Sequence, residues 1–150
     1  MSKGETAVRE MFNSIVDNLD GHLGFDFGVE PDMNIFNREK ILDLVWMLPM
    51  TYTGSFPSGM KLFKNYSVVL YFCREDKVDS SNDARRDIIE SMDLNVEQFL
   101  IAMKFTLDGL SYDHSLDTIR VEPFFAATTD VLTGKAVSFN LTIQDDFEYC

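Results

Sequence analysis

The 150-residue chain is poor in the residues that build metal and redox centres. It contains two cysteines, Cys73 and Cys150, and neither belongs to a CxxC pair, so no zinc or redox motif is present. The two thiols could form one disulfide. The N-terminus lacks the apolar core of a signal peptide, however, and reduced thiols are expected in a cytosolic chain.

Histidine is equally scarce, since the chain has only His22 and His114. The neighbouring Asp113 could orient His114 as a base, but no Gly-x-Ser-x-Gly elbow, activated cysteine, phosphate loop or GxGxxG accompanies the pair. The acidic segment 79–90 partly matches a calcium-binding loop, except that Ala84 occupies the position of the required glycine. We therefore predict no catalytic residues, no cofactor and no metal.

Basic residues are also few, with 13 Lys and Arg against 25 Asp and Glu and a net charge of -12. Binding to a phosphate backbone requires clustered cations, so specific nucleic-acid binding is not expected. No apolar run approaches the roughly 18 residues of a membrane span. The hydrophobic share of 45% excludes overall disorder, and the length suits a single domain over residues 1–150.

Apolar periodicity predicts a helix over residues 8–19 and a longer helix over residues 88–110, with a kink or break near Leu94–Asn95. Strands are predicted at residues 23–29, 42–48, 66–73, 118–127 and 136–144, with the segment 66–73 in the centre. The fold class is α+β. It consists of a single, mainly antiparallel sheet of about five strands, packed by the N-terminal helix and the long central helix.

The predicted core consists of apolar residues on the inner faces of these elements. They are Val8, Phe12, Ile15, Trp46, Val69, Tyr71, Phe99, Met103, Phe139 and Leu141, or at least the members on one face of 68–72. Each of these faces has to pack against another element in order to leave water.

The segment 51–65 is predicted to be a long loop or a protruding hairpin, because Gly54, Pro57 and Gly59 interrupt it. Its apolar side chains are too numerous to leave in water on a monomer: Tyr52, Phe56, Met60, Leu62 and Phe63. We expect them to contact another subunit. The alternative is that the loop folds back over the sheet.

The last predicted strand alternates strictly from Ala136 to Gln144. One side is apolar, and the other carries small polar groups that include Ser138, Asn140 and Thr142. Either this polar side is solvated, or the strand meets another copy of the chain through the polar face or a free edge.

Three segments carry a resemblance to a known class of proteins. They are LVWMLP (44–49), MDLNVEQFLIAM (92–103) and DVLTG (130–134), which opens the last strand. With this element order they resemble the neck and tail-completion proteins of tailed bacteriophages, including tail terminators. The resemblance implies a virion structural protein without catalysis, assembled in the host cytoplasm into a homo-oligomeric ring around the DNA channel. The implied partners are portal, neck or tail-tube proteins, with Asp130, Leu132 and Thr133 as further contact candidates.

Two other functions remain open. The acidic surface could belong to a cytosolic binding module or adaptor that recognises a basic partner. Asp113 and His114 leave a hydrolase as a third candidate. A mass measurement separates the ring from the adaptor. A ring has a mass that is a high multiple of the chain mass, whereas an adaptor is a monomer or dimer.

Overall fold

The computed structural model describes residues 3–19, 23–28, 43–57, 59, 61–76, 82–110, 112–127 and 131–147. Within these ranges the elements follow in the order α1 (Lys3–Asp17), β1 (Leu23–Phe27), β2 (Asp43–Met47), β3 (Thr51–Ser55), β4 (Phe63–Asp76), α2 (Asn82–Asp108), β5 (His114–Ala127) and β6 (Val131–Gln144). The fold is α+β with a mostly antiparallel, open sheet, which confirms the predicted class. The sheet has six strands and not about five, because part of the predicted loop 51–65 forms β3.

The strand order is β1-β2-β4-β6-β5, and β3 pairs with β4 beside this path. The β1–β2 pair is parallel, and the other described pairs are antiparallel. β2 and β3 lie along the same side of β4, where Met47 is opposite Leu70 and Thr51 is opposite Ser67. The two strands therefore continue one line, interrupted at Pro49, which has no N–H to donate.

Both helices pack on one face of the sheet. Phe12 of α1, Phe99 of α2 and Phe139 of β6 meet there, with ring centroids 5.6 Å apart for Phe12–Phe99 and 5.9 Å apart for Phe12–Phe139. Of the predicted core, Val8, Phe12, Ile15, Phe99, Met103, Phe139 and Leu141 are buried here. From the 68–72 segment, Val68, Leu70 and Phe72 are buried, whereas Val69 and Tyr71 are half-buried on the opposite face.

A smaller apolar cluster lies on the sheet face that points away from the helices. It contains Leu44, Trp46, Cys73 and Leu132, and the indole N–H of Trp46 donates to the carbonyl oxygen of Gly28 at 2.9 Å. β2 is buried on both faces, because Val45 and Met47 belong to the main core. This explains its nearly continuous apolar run. Burial also raises the pKa of the Cys73 thiol to about 12.

Two details differ from the sequence-based expectation. α2 is helical without interruption from Asn82 to Asp108, so the predicted break near Leu94–Asn95 is wrong. The Asn95 amide lies 3.8 Å from the sulfur of Met92 and does not cap a second helix. β5 begins at His114, earlier than the predicted residue 118. The register is irregular between Asp117 and Arg120, and the part of the strand before this irregularity was not predicted.

Candidate functional site

The polar side of β6 lies on the sheet face that the helices leave uncovered. Val137, Phe139, Leu141 and Ile143 point into the main core, so the alternating Ser138, Asn140 and Thr142 point the other way and are half-exposed. β6 pairs with β4 along its whole length and with β5 on its other side. It therefore has no free edge, and the edge contact considered from the sequence is wrong. Only the polar face of the strand remains available.

The surroundings of these side chains are uncharged. Asn140 is opposite Ser67 of β4, whose hydroxyl donates to the Asn140 Oδ1 at 3.5 Å, and Thr142 is opposite Asn65. On this face, residues 63–73 of β4 and 132–144 of β6 contribute no charged side chain. We call the group Asn65, Ser67, Ser138, Asn140 and Thr142 the neutral face. Charges begin on β5, where Asp117 is opposite Asn140 and Arg120 is opposite Ser138.

The segment 51–65, predicted to be a long loop or a protruding hairpin, forms the hairpin between β3 and β4. β3 pairs with residues 63–67, and Gly59 in the turn has a φ of 80°, a conformation that favours glycine. Tyr52 is 47% exposed and Phe56 is 61% exposed, whereas Leu62 and Phe63 are half-buried. Met60 lies outside the described residues. Two of the four described side chains of this predicted set are thus clearly accessible.

An ion pair between a buried lysine and an exposed aspartate fixes the base of this hairpin to the end of β6. The Lys64 ammonium group lies 2.8 Å from the Asp145 carboxylate and 4.7 Å from the centroid of the Tyr52 ring. The hydrogen bond to Asp145 raises the pKa of Lys64, although burial opposes this shift. The Asp145 backbone N–H also donates to the Leu62 carbonyl at 2.9 Å. The hairpin is therefore held at its base, while its tip is exposed.

The contact candidates at the start of β6 are not on the surface. Leu132 is 1% exposed and Thr133 is 0% exposed, so neither offers accessible area to a second subunit. Leu132 packs into the smaller apolar cluster with Trp46 and Cys73. Asp130 lies outside the described residues.

The two residues considered for hydrolysis do not pair with each other. The His114 Nε2 lies 3.4 Å from Asp108, and its Nδ1 lies 3.1 Å from the Tyr112 carbonyl oxygen. The Asp113 backbone N–H donates to the side chain of Gln144 at 3.0 Å. Hydrogen bonds from Lys104 and His114 lower the pKa of Asp108, and the Lys104 bond contributes most. These contacts connect the end of α2 to the β5–β6 end of the sheet.

One set of accessible side chains was missed from the sequence. Leu94, Ile101 and Phe105 on α2 are 56%, 72% and 82% exposed. The apolar periodicity that predicts this helix belongs to its buried face, which includes Phe99 and Met103, and these three residues lie outside it. A helical projection would have revealed this, because Ile101 and Phe105 lie about half a turn from Phe99 and Met103.

Comparisons with protein-family models and with curated proteins find no match to this chain. Among the described residues, no group of three or more His, Cys, Asp or Glu side chains is arranged to hold a metal ion. Neither described helix is long and apolar enough to cross a membrane. The neutral face and the exposed tip of the hairpin are accessible surfaces of the described residues.

Proposed function

We propose that the protein is a virion structural subunit of a tailed phage and forms part of a ring at the head–tail connection or tail end. The observation that carries this proposal is the neutral face, a half-exposed and uncharged surface on a chain of net charge -12. Copies of so acidic a chain repel one another, and charges of the same sign in a contact weaken it further. A surface without charge is therefore the best place for two copies to meet.

The hairpin supplies a second, different contact surface. A ring requires a head-to-tail contact between two unlike patches, because a contact between identical patches closes as a dimer. The neutral face provides one patch, and exposed Tyr52 and Phe56 provide the other. Aromatic side chains are enriched in interfaces, and about 800 Å² buried on each subunit would make a standard contact.

The overall charge also suits this role. A subunit that surrounds a DNA channel must allow the duplex to pass without holding its phosphates. Thirteen basic residues against 25 acidic residues give little tendency to bind a polyanion. Neck, portal or tail-tube proteins are the partners that such a ring would contact.

The test is a charge placed in the centre of the neutral face. Asn140→Arg is the appropriate variant, because Asp117 lies opposite on β5 and gives the new guanidinium a favourable neighbour within the same chain. Ser138→Arg is less suitable, since Arg120 lies opposite that position. The matched control is Asn13→Arg, which makes the same substitution at an exposed position of α1, on the helix side of the sheet.

Native mass spectrometry and sedimentation velocity on the three proteins report the assembly. We expect wild type and Asn13→Arg to form a closed ring whose mass is a multiple of the chain mass. Asn140→Arg should be a folded monomer. Wild type that stays monomeric at high concentration, both alone and in the presence of tail-tube or portal particles, would contradict the ring. Equal assembly of all three proteins would show that the neutral face is solvated surface.

A further inference from the structure

Helix α2 carries an exposed apolar face that the proposed ring contacts do not use. Leu94, Gln98, Ile101 and Phe105 follow one another at i, i+4, i+7 and i+11, which places them on one side of the helix. We call this set the α2 stripe. Ile101 is 72% exposed and Phe105 is 82% exposed. Large apolar side chains grouped in one exposed patch are typical of interaction surfaces.

A groove of about 480 Å³ runs beside the stripe, between α2 and the end of α1. Asn18 and Leu19, which follow α1, line the groove together with Ala102, Thr106 and the stripe residues Gln98, Ile101 and Phe105 of α2. Local hydrogen bonds hold the walls, because the Asn18 amide donates to the Ser14 carbonyl and the Thr106 hydroxyl donates to the Ala102 carbonyl, both at 2.8 Å. The groove is therefore formed before any partner arrives.

Carboxylates border the stripe on its accessible side. Asp87, Glu90 and Glu97 are exposed on α2, and none of them has an ion-pair partner among the described residues. By contrast, two other carboxylates of the same helix are paired. Asp93 lies 3.5 Å from the Lys135 ammonium group, and Asp108 lies 2.7 Å from that of Lys104. The exposed cations Arg86 and Lys104 of this helix are themselves paired, with Asp83 and Asp108. The border therefore carries an excess of carboxylates, and an apolar centre with such a border is complementary to an apolar segment with basic flanks.

We propose that the α2 stripe and its groove bind an amphipathic helical segment of a partner protein, with apolar side chains at i, i+3, i+4 and i+7 and Lys or Arg along its flanks. This is the helix-in-groove mode of recognition. A second copy of this chain is a poorer occupant, since it would bring its own carboxylates against those of α2. The site does not depend on the ring, because its residues belong neither to the neutral face nor to the hairpin.

The probe is a synthetic helical peptide with leucines at those four positions and lysines along its flanks, labelled for fluorescence anisotropy. Its control carries the same leucines with glutamates in place of the lysines. The protein variant is Phe105→Gln, and the matched control is Phe27→Gln, which removes an exposed phenylalanine from β1. Neither change alters the net charge, so the two variants isolate the apolar contact from general attraction.

We expect the lysine peptide to bind wild type and Phe27→Gln equally, and Phe105→Gln about tenfold more weakly. The glutamate peptide should not bind. Equal affinity of the lysine peptide for Phe105→Gln and wild type, or no binding to wild type at all, would overturn the proposal. So would a wild-type assembly that Phe105→Gln alone dissociates, because the stripe would then belong to a second copy. Asn140→Arg should bind the peptide normally, so this proposal and the ring fail separately.

Discussion

At the scale of single residues, Lys64 is a buried lysine, which is rare in proteins. Its side chain is 9% exposed, whereas that of its partner Asp145 is 46% exposed. Buried charges persist only when they are paired, and the two partners of this pair differ in their access to water. Loss of one partner should therefore have a different effect from loss of the other.

We predict that Asp145→Asn destabilises the protein more than Lys64→Met does. Removing the Asp145 charge leaves a buried ammonium group without a counter-ion, which should cost about 1–3 kcal/mol. In Lys64→Met the aliphatic stem is replaced and the remaining carboxylate is largely hydrated, so a loss below about 1 kcal/mol is expected. Urea unfolding of both variants at about pH 7 measures the difference. Equal losses would show that Lys64 reaches water.

The same pair has a defined pH dependence. The hydrogen bond to Asp145 raises the pKa of Lys64 above its ordinary value of 10.5. A raised pKa in the folded state contributes stability that is fully present below the ordinary value and is lost as pH rises through the raised one. The stability difference between wild type and Lys64→Met should thus be constant from about pH 7 to about pH 10 and shift against wild type at higher pH.

At the scale of elements, α2 presents two apolar faces with opposite roles. Phe99 is fully buried, and its ring meets those of Phe12 and Phe72 at centroid distances of 5.6 Å and 5.5 Å. Phe105, six positions later, is 82% exposed. The helix therefore joins the core through one face and leaves the other for a partner.

We predict that the same substitution on the two faces has very different effects on the free energy of unfolding. Phe99→Ala should cost about 3–5 kcal/mol, because it leaves a cavity among packed rings. Phe105→Ala should change stability by less than about 0.5 kcal/mol, since its side chain is already in water. Chemical denaturation of both variants checks this. A loss below about 1 kcal/mol for Phe99→Ala would mean that this face of α2 is not core.

Both helices and most strands were predictable because their apolar residues repeat with the period of the element. β3 was not, since Gly54 within the strand and Pro57 and Gly59 after it are typical of loops. The burial of Lys64 was equally hidden, because it depends on a contact with Asp145 that is distant in the sequence. Local patterns report periodicity, but they do not report which distant residues meet.

The candidate site was predictable to the same extent. Strict alternation placed Ser138, Asn140 and Thr142 on one face of a strand, and the structure agrees. The position of β6 between β4 and β5 could not be inferred, because strand order is set by long-range pairing. For the same reason Leu132 and Thr133 appeared available although both are buried.

At the scale of the whole molecule, charge is distributed unevenly over a chain of net charge -12. The neutral face carries no charge, whereas α2 exposes Asp87, Glu90 and Glu97 around its apolar stripe. Two associations are proposed for these surfaces, and the electrostatic energy opposes one of them and favours the other. Copies that meet through the neutral face do so against general repulsion, whereas a basic segment on α2 is attracted.

The two associations should consequently respond to salt in opposite directions. At an ionic strength of about 0.1 M the screening length is already about 10 Å, and it shortens to about 3 Å at 1 M. Added NaCl should therefore strengthen ring assembly by screening the repulsion between acidic copies, and weaken binding of the lysine peptide by screening its attraction to α2. Sedimentation velocity and fluorescence anisotropy over the same NaCl series measure both effects on one preparation. If salt dissociates the ring, its contacts contain ion pairs and the neutral face is not the interface. If salt leaves the peptide affinity unchanged, the carboxylates of α2 take no part in recognition.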